Sequence, residues 1–81
     1  MSERKKLEAA VDAFAVAMKA RLLSKLKQGW SGWDDPHQRA GIADRLLKNA
    51  SQARERGDEK SLVDVANLAM MLWMWKRRAG R

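Results

Sequence analysis

Cysteine is absent from the 81 residues, which excludes disulfides, thiolate metal sites, cysteine nucleophiles and iron–sulfur clusters and leaves the redox compartment open. His37 is the one histidine, so a single chain can build neither a Ser-His-Asp triad, nor an HExxH motif, nor a multi-histidine metal site. Ser24, Ser31, Ser51 and Ser61 have no neighbouring base to activate them, and cap or loop roles suffice for them. The five glycines form no Walker A loop; Gly29 and Gly32 frame a tryptophan turn instead. No apolar run approaches the roughly 20 residues that cross a bilayer. The opening MSERKKLEAA also lacks a continuous apolar stretch, because Glu8 and Asp12 interrupt it; the expectation is neither a signal nor a transit peptide, and a cytoplasmic protein with no membrane partner.

What is present is charge and helix. Seventeen Lys and Arg against ten Asp and Glu give a net charge of +7, with 46% hydrophobic residues, a balance too apolar for a disordered tail and suited to one small domain over residues 1–81. Leu7, Val11, Phe14, Met18 and Leu22 recur at steps of four and three with no Gly or Pro before Gly29, and this predicts a first helix over about residues 3–27. Ala9, Ala13, Val16 and Ala20 form a second stripe of small residues on its back. A tryptophan-rich loop over 28–35 follows, and Asp35 before Pro36 reads as an N-cap with proline at the first helical position. The middle helix is expected over about 36–56, with Ile42, Leu46, Ala50 and Ala53 as its apolar stripe and Arg45, Lys48, Gln52 and Arg56 on the opposite side. Gly57 and Asp58 end it. Asp58 or Ser61 caps the last helix, about 59–78, with Ser61 and Asp64 at capping-box spacing; a basic tail spans 76–81.

The stretch LAMMLWMW, Leu68 to Trp75, has no polar position through two turns. A helix apolar all round is buried on all sides, and two short neighbours cover only part of it. The expected architecture is therefore an all-α, three-helix chain that associates into a homodimer or higher oligomer, with Leu68, Met71, Leu72, Met74 and Trp75 at the contact between copies.

Helix 1 ending in KLKQGW, the tryptophan loop, and DVANLAMML from Asp64 to Leu72 resemble, over most of the chain, the short phage-type MazG-like proteins of the all-α nucleotide pyrophosphohydrolase superfamily. The resemblance implies helical bundles, dimeric or tetrameric, in which an EExxE and an ExxD motif hold Mg²⁺ on a nucleoside triphosphate. Mg²⁺ takes hard oxygen ligands, and carboxylates three or four apart on a helix can converge on it. This chain departs from the pattern: Lys48, Asn49 and Gln52 stand where the first motif falls, Ser61 replaces the Glu of the second, and Asp64 alone matches its final Asp. If any residue holds a metal it is Asp64, and Lys48 beside such a site repels a cation; as a structural residue Asp64 pairs with Ser61.

The expected function is accordingly non-catalytic and without a cofactor. Arg45, Lys48 and Arg56 convert a cation-holding wall into an anion-holding one, with Gln52 among them and Trp30 and Trp33 as an aromatic anchor, one tryptophan in the core and one exposed. The expected partner is a host protein that is thereby inhibited or modulated, or a nucleotide-derived anionic ligand. Two alternatives stand beside it: an Mg²⁺-dependent pyrophosphohydrolase using Asp64 with acids from a second chain, and nonspecific nucleic-acid binding without direct base reading.

Overall fold

The computed structural model describes residues 2–79 and shows three α-helices with no strand among them; Gly80 and Arg81 of the expected basic tail lie outside the described residues. Helix α1 spans Glu3–Lys27. Ser2 starts it by accepting the Lys5 backbone N–H at 3.2 Å, while Glu3 in the first turn and Lys25 and Lys27 in the last oppose the helix dipole. It stops at Gln28, and Gly29 turns the chain with φ 91°.

Asp35 and Pro36 act as their order predicts, with one difference. The Asp35 carboxylate accepts the His37 N–H at 3.0 Å, but the turn it caps is a single 3₁₀ turn, Pro36–Gln38, and α2 proper runs Arg39–Arg56. Gly57 ends α2 in the left-handed region, φ 63°, with its N–H donated to the Ala53 carbonyl at 2.8 Å. Helix α3 follows at once over Glu59–Ala79. Asp58 precedes it, its main-chain carbonyl accepting the Leu62 N–H at 3.4 Å, and Ser61 lies beside the Asp58 carboxyl; Asp64 bonds to Arg21 and not, as the capping-box spacing implied, to Ser61.

Helices α2 and α3 make an antiparallel hairpin, with Arg39 to Ala43 beside Leu72 to Lys76. Helix α1 runs in the same sense as α3. Its middle lies beside Glu59, Met18 beside Asn67, and Leu22 to Leu26 beside Met70 and Met71. The core is Ile42, Leu68 and Met71, covered by the half-buried Leu22, Trp30, Trp33, Leu46, Met70 and Leu72. Val63 and Ala53 are buried nearer the Gly57 turn.

Two expectations change. Ala50 is exposed and Asn49 is half-buried in its place, so the inward face of α2 is Ile42, Leu46, Asn49 and Ala53. Helix α3 is covered only in part within one chain, as its two short neighbours imply: Ala69 is exposed and Trp73 is 55% exposed. Leu68 and Met71, expected between copies, are 6% and 2% exposed because they face α1 and α2 of their own chain; Leu72, Met74 and Trp75 are half-buried. No helix among the described residues is long and apolar enough to cross a membrane.

Candidate functional site

The tryptophan loop closes the end of the bundle where α3 finishes. Gly29 and Gly32, both at positive φ, fold the loop inward, and the Trp30 N–H is held by the Lys25 carbonyl at 3.0 Å. Both tryptophans are half-buried against the core, so the expected division into one core and one exposed ring is replaced by two half-buried rings. Trp75 Nε1 donates to the Trp33 carbonyl at 3.4 Å, tying the loop to α3. The Arg78 guanidinium lies 5.6 Å from the Trp33 ring centre and 5.8 Å from that of Trp75, and Lys25 Nζ lies 5.6 Å from Trp30. Cations at that range are attracted to the ring faces.

Two clefts flank the loop. One, of about 350 Å³, is apolar and bounded by Leu22, Leu26, Trp30, Trp33 and Met70. The other, about 190 Å³, lies between Trp30, Trp33 and Ile42 and is edged by Gln38 and Arg45. Arg45 is thus brought to the tryptophans. Lys48 and Arg56 are exposed farther along α2, and Gln52 is half-buried. Positions 45, 48, 52 and 56 fall within one turn-face at 100° per residue, and the inward move of Asn49 makes this face border the core face instead of opposing it. Sequence reasoning missed Arg39 and Lys76, which line a groove with Pro36, Ala43 and Leu72 on the other side of the hairpin. The signal was available: Arg39 lies three residues beyond Pro36, and Lys76 follows Trp75 on the helix that meets it.

Asp64 is engaged. Its Oδ1 accepts Arg21 Nε at 3.0 Å and sits 3.8 Å from Lys25 Nζ, with its side chain 12% exposed. The cations beside it come from α1 and not, as expected, from Lys48. Asn67, one turn on, donates from Nδ2 to the Met18 carbonyl at 3.2 Å, a second polar link between α3 and α1. A carboxylate already sharing its charge with two cations is a poor Mg²⁺ ligand, so these residues do not fit the metal that the family resemblance implies. Among the described residues no group of three or more His, Asp or Glu is placed to hold a metal ion.

Fold and site together define a small three-helix protein with a basic and aromatic end. Set against known proteins, the chain matches no family model, no characterised protein and no solved structure.

Proposed function

We propose that this is a non-catalytic binding protein that holds an anionic partner against the α2 face, with the tryptophan loop as its aromatic anchor. The observation that supports this reading is the cleft shared by Arg45, Trp30 and Trp33: an exposed guanidinium beside two half-buried indoles suits an acidic group attached to a planar or apolar one. Lys48 and Arg56 extend the positive field along the helix and raise the rate of encounter with an acidic protein surface or a nucleotide-derived ligand. The reading assumes a cytoplasmic setting, with a host protein as the partner that is modulated or inhibited. The MazG-like resemblance rests on its motif residues alone and enters here as a bundle plan without the carboxylates.

The test is capture of a partner from bacterial lysate with the wild-type chain and with the Arg45→Glu/Lys48→Glu/Arg56→Glu variant, followed by calorimetry. A partner bound by the first and lost by the folded second supports the reading. Retained wild-type affinity in the variant sinks it. Pyrophosphate release from nucleoside triphosphates with Mg²⁺ that disappears in Asp64→Ala restores the enzyme. Affinity for random DNA that falls steeply between 50 and 200 mM salt assigns the charge to nucleic acid.

A further inference from the structure

The first turns of α1 carry an apolar face that its own chain reaches only at the far end, where Glu59 lies beside Phe14 and Ala17. Met18 and Leu22 of the stripe are half-buried against α3. Leu7, Val11 and Phe14 continue the same stripe at the same spacing and are 60%, 67% and 41% exposed. Not one residue of the 25 in α1 is buried. On an isolated helix the face would be an aggregation hazard; on a folded chain it marks an interface.

Area indicates what covers it. The chain exposes 6432 Å², whereas a compact monomer of its 9.2 kDa exposes about 4,900 Å². The excess is about 1,500 Å² per chain and is shared with the exposed Leu23, Leu26, Leu47, Leu62 and Trp73, while a standard interface needs only about 800 Å² of it from each partner. The Cα radius of gyration agrees: 14.1 Å against about 12 Å for a compact chain of this length.

Charge points to a copy of the same chain. A symmetric interface meets itself, so its local charge must be near neutral. Residues 3–19 carry Arg4, Lys5, Lys6 and Lys19 against Glu3, Glu8 and Asp12, four minus three, or +1 of the chain's +7. The remaining +6 lies elsewhere and would repel a copy there. Ala10 and Ala15 border the stripe and let a second helix approach closely, and the Arg4–Glu8 ion pair at 2.8 Å neutralises the charge beside Leu7. An antiparallel pairing keeps the two Arg4-Lys5-Lys6 turns apart and opposes the helix dipoles.

We propose that the free face of α1 seats a second copy of this chain, the two α1 helices packing antiparallel about a two-fold axis near Val11. Light scattering and sedimentation of the full chain from 1 to 100 µM should give twice the 9.2 kDa chain mass, and Val11→Glu or Phe14→Glu should weaken the dimer about tenfold or more while circular dichroism keeps its helices. Val16→Glu, on the far side of α1 with Val16 68% exposed, should leave it intact. A second readout serves if Val11→Glu loses its helices. The absence of native cysteine allows Val11→Cys and Val16→Cys, and oxidation should cross-link the first to a dimer and leave the second a monomer. A wild-type monomer at 100 µM overturns the proposal, as does a dimer that survives Val11→Glu and dissociates in Trp73→Glu, which would place the contact on α3.

Discussion

The lower half of α1 and its upper half share one sequence pattern and have different fates. From Met18 downward the stripe meets α3, the Asn67 amide reaches the Met18 carbonyl, and Asp64 grips Arg21. From Phe14 upward the same spacing of apolar residues meets solvent. Periodicity states that a helix has an inward face; it does not state that the chain is long enough to supply the other side. Helix α3 begins at Glu59, beside the middle of α1, so the turns of α1 before that point have no neighbour in their own chain.

The sharpest way to break this contrast is to remove side chains from both regions. Met71 is 2% exposed, and Met71→Ala should cost about 2–5 kcal/mol through lost burial and a cavity. Val11→Ala, measured in dilute protein where chains are separate, should stay within about 0.5 kcal/mol. Urea titrations of both variants compare the two. Equal losses would mean that the upper half of α1 is packed within its own chain.

A smaller effect is expected at the seam. Asp64→Ala leaves the Arg21 guanidinium, 26% exposed, without its partner and should cost about 1–3 kcal/mol. Replacing Arg21 by Met in the same chain should restore part of the loss, and a double-mutant cycle reads the coupling. Zero coupling would show that α1 is held by its apolar contacts alone.

Smaller again is the hairpin turn. A Cβ at Gly57 would meet nothing within 4 Å, so only its φ of +63° resists substitution, and Gly57→Ala should cost about 1 kcal/mol. The smallest effect is a pH dependence. The Ser61 hydrogen bond, seconded by the Arg56 charge and opposed by burial, holds the Asp58 carboxyl below its ordinary range. A depressed carboxyl contributes stability above its unfolded value, about pH 4, and loses it as the pH falls through the lower folded value. The acid limb of the stability curve should flatten in Ser61→Ala; an unchanged limb would show that the Ser61 bond does not act on this carboxyl.

Local chemistry made the helices legible. The Asp35-Pro36 pair and Gly57 each punctuate the chain where dihedral preference and unpaired N–H groups require it, and the boundaries follow to within a turn. What could not be read was which turn faces which. Asn49 turns inward where Ala50 has the apolar side chain, since its amide is satisfied by the Arg45 carbonyl at 2.8 Å. Asp64 looked like a cap partner or a metal ligand because its real partner lies 43 residues away. A hint existed in the pattern: Arg21 on α1 and Asp64 on α3 are charges of opposite sign at the margin of apolar faces. The site was legible as composition, basic residues and tryptophans, while the meeting of Arg45 with Trp30 and Trp33 depends on a loop whose path no periodicity encodes.

The four tryptophans, Trp30, Trp33, Trp73 and Trp75, all belong to the loop and to the last turns of α3, and the chain has no tyrosine. The upper half of α1 is therefore dark in indole emission but contributes in full to the peptide signal in the far ultraviolet. Light from this molecule comes in two channels that belong to two ends. Emission follows the lodging of Trp30 and Trp33 against the core and the tether from Trp75, and ellipticity follows every helical turn, including those beyond Phe14. If the upper turns of α1 melt before the bundle, the two traces separate on heating and rejoin when a second copy covers the arm, so protein concentration alone would tune the gap between two optical curves of one unlabelled chain.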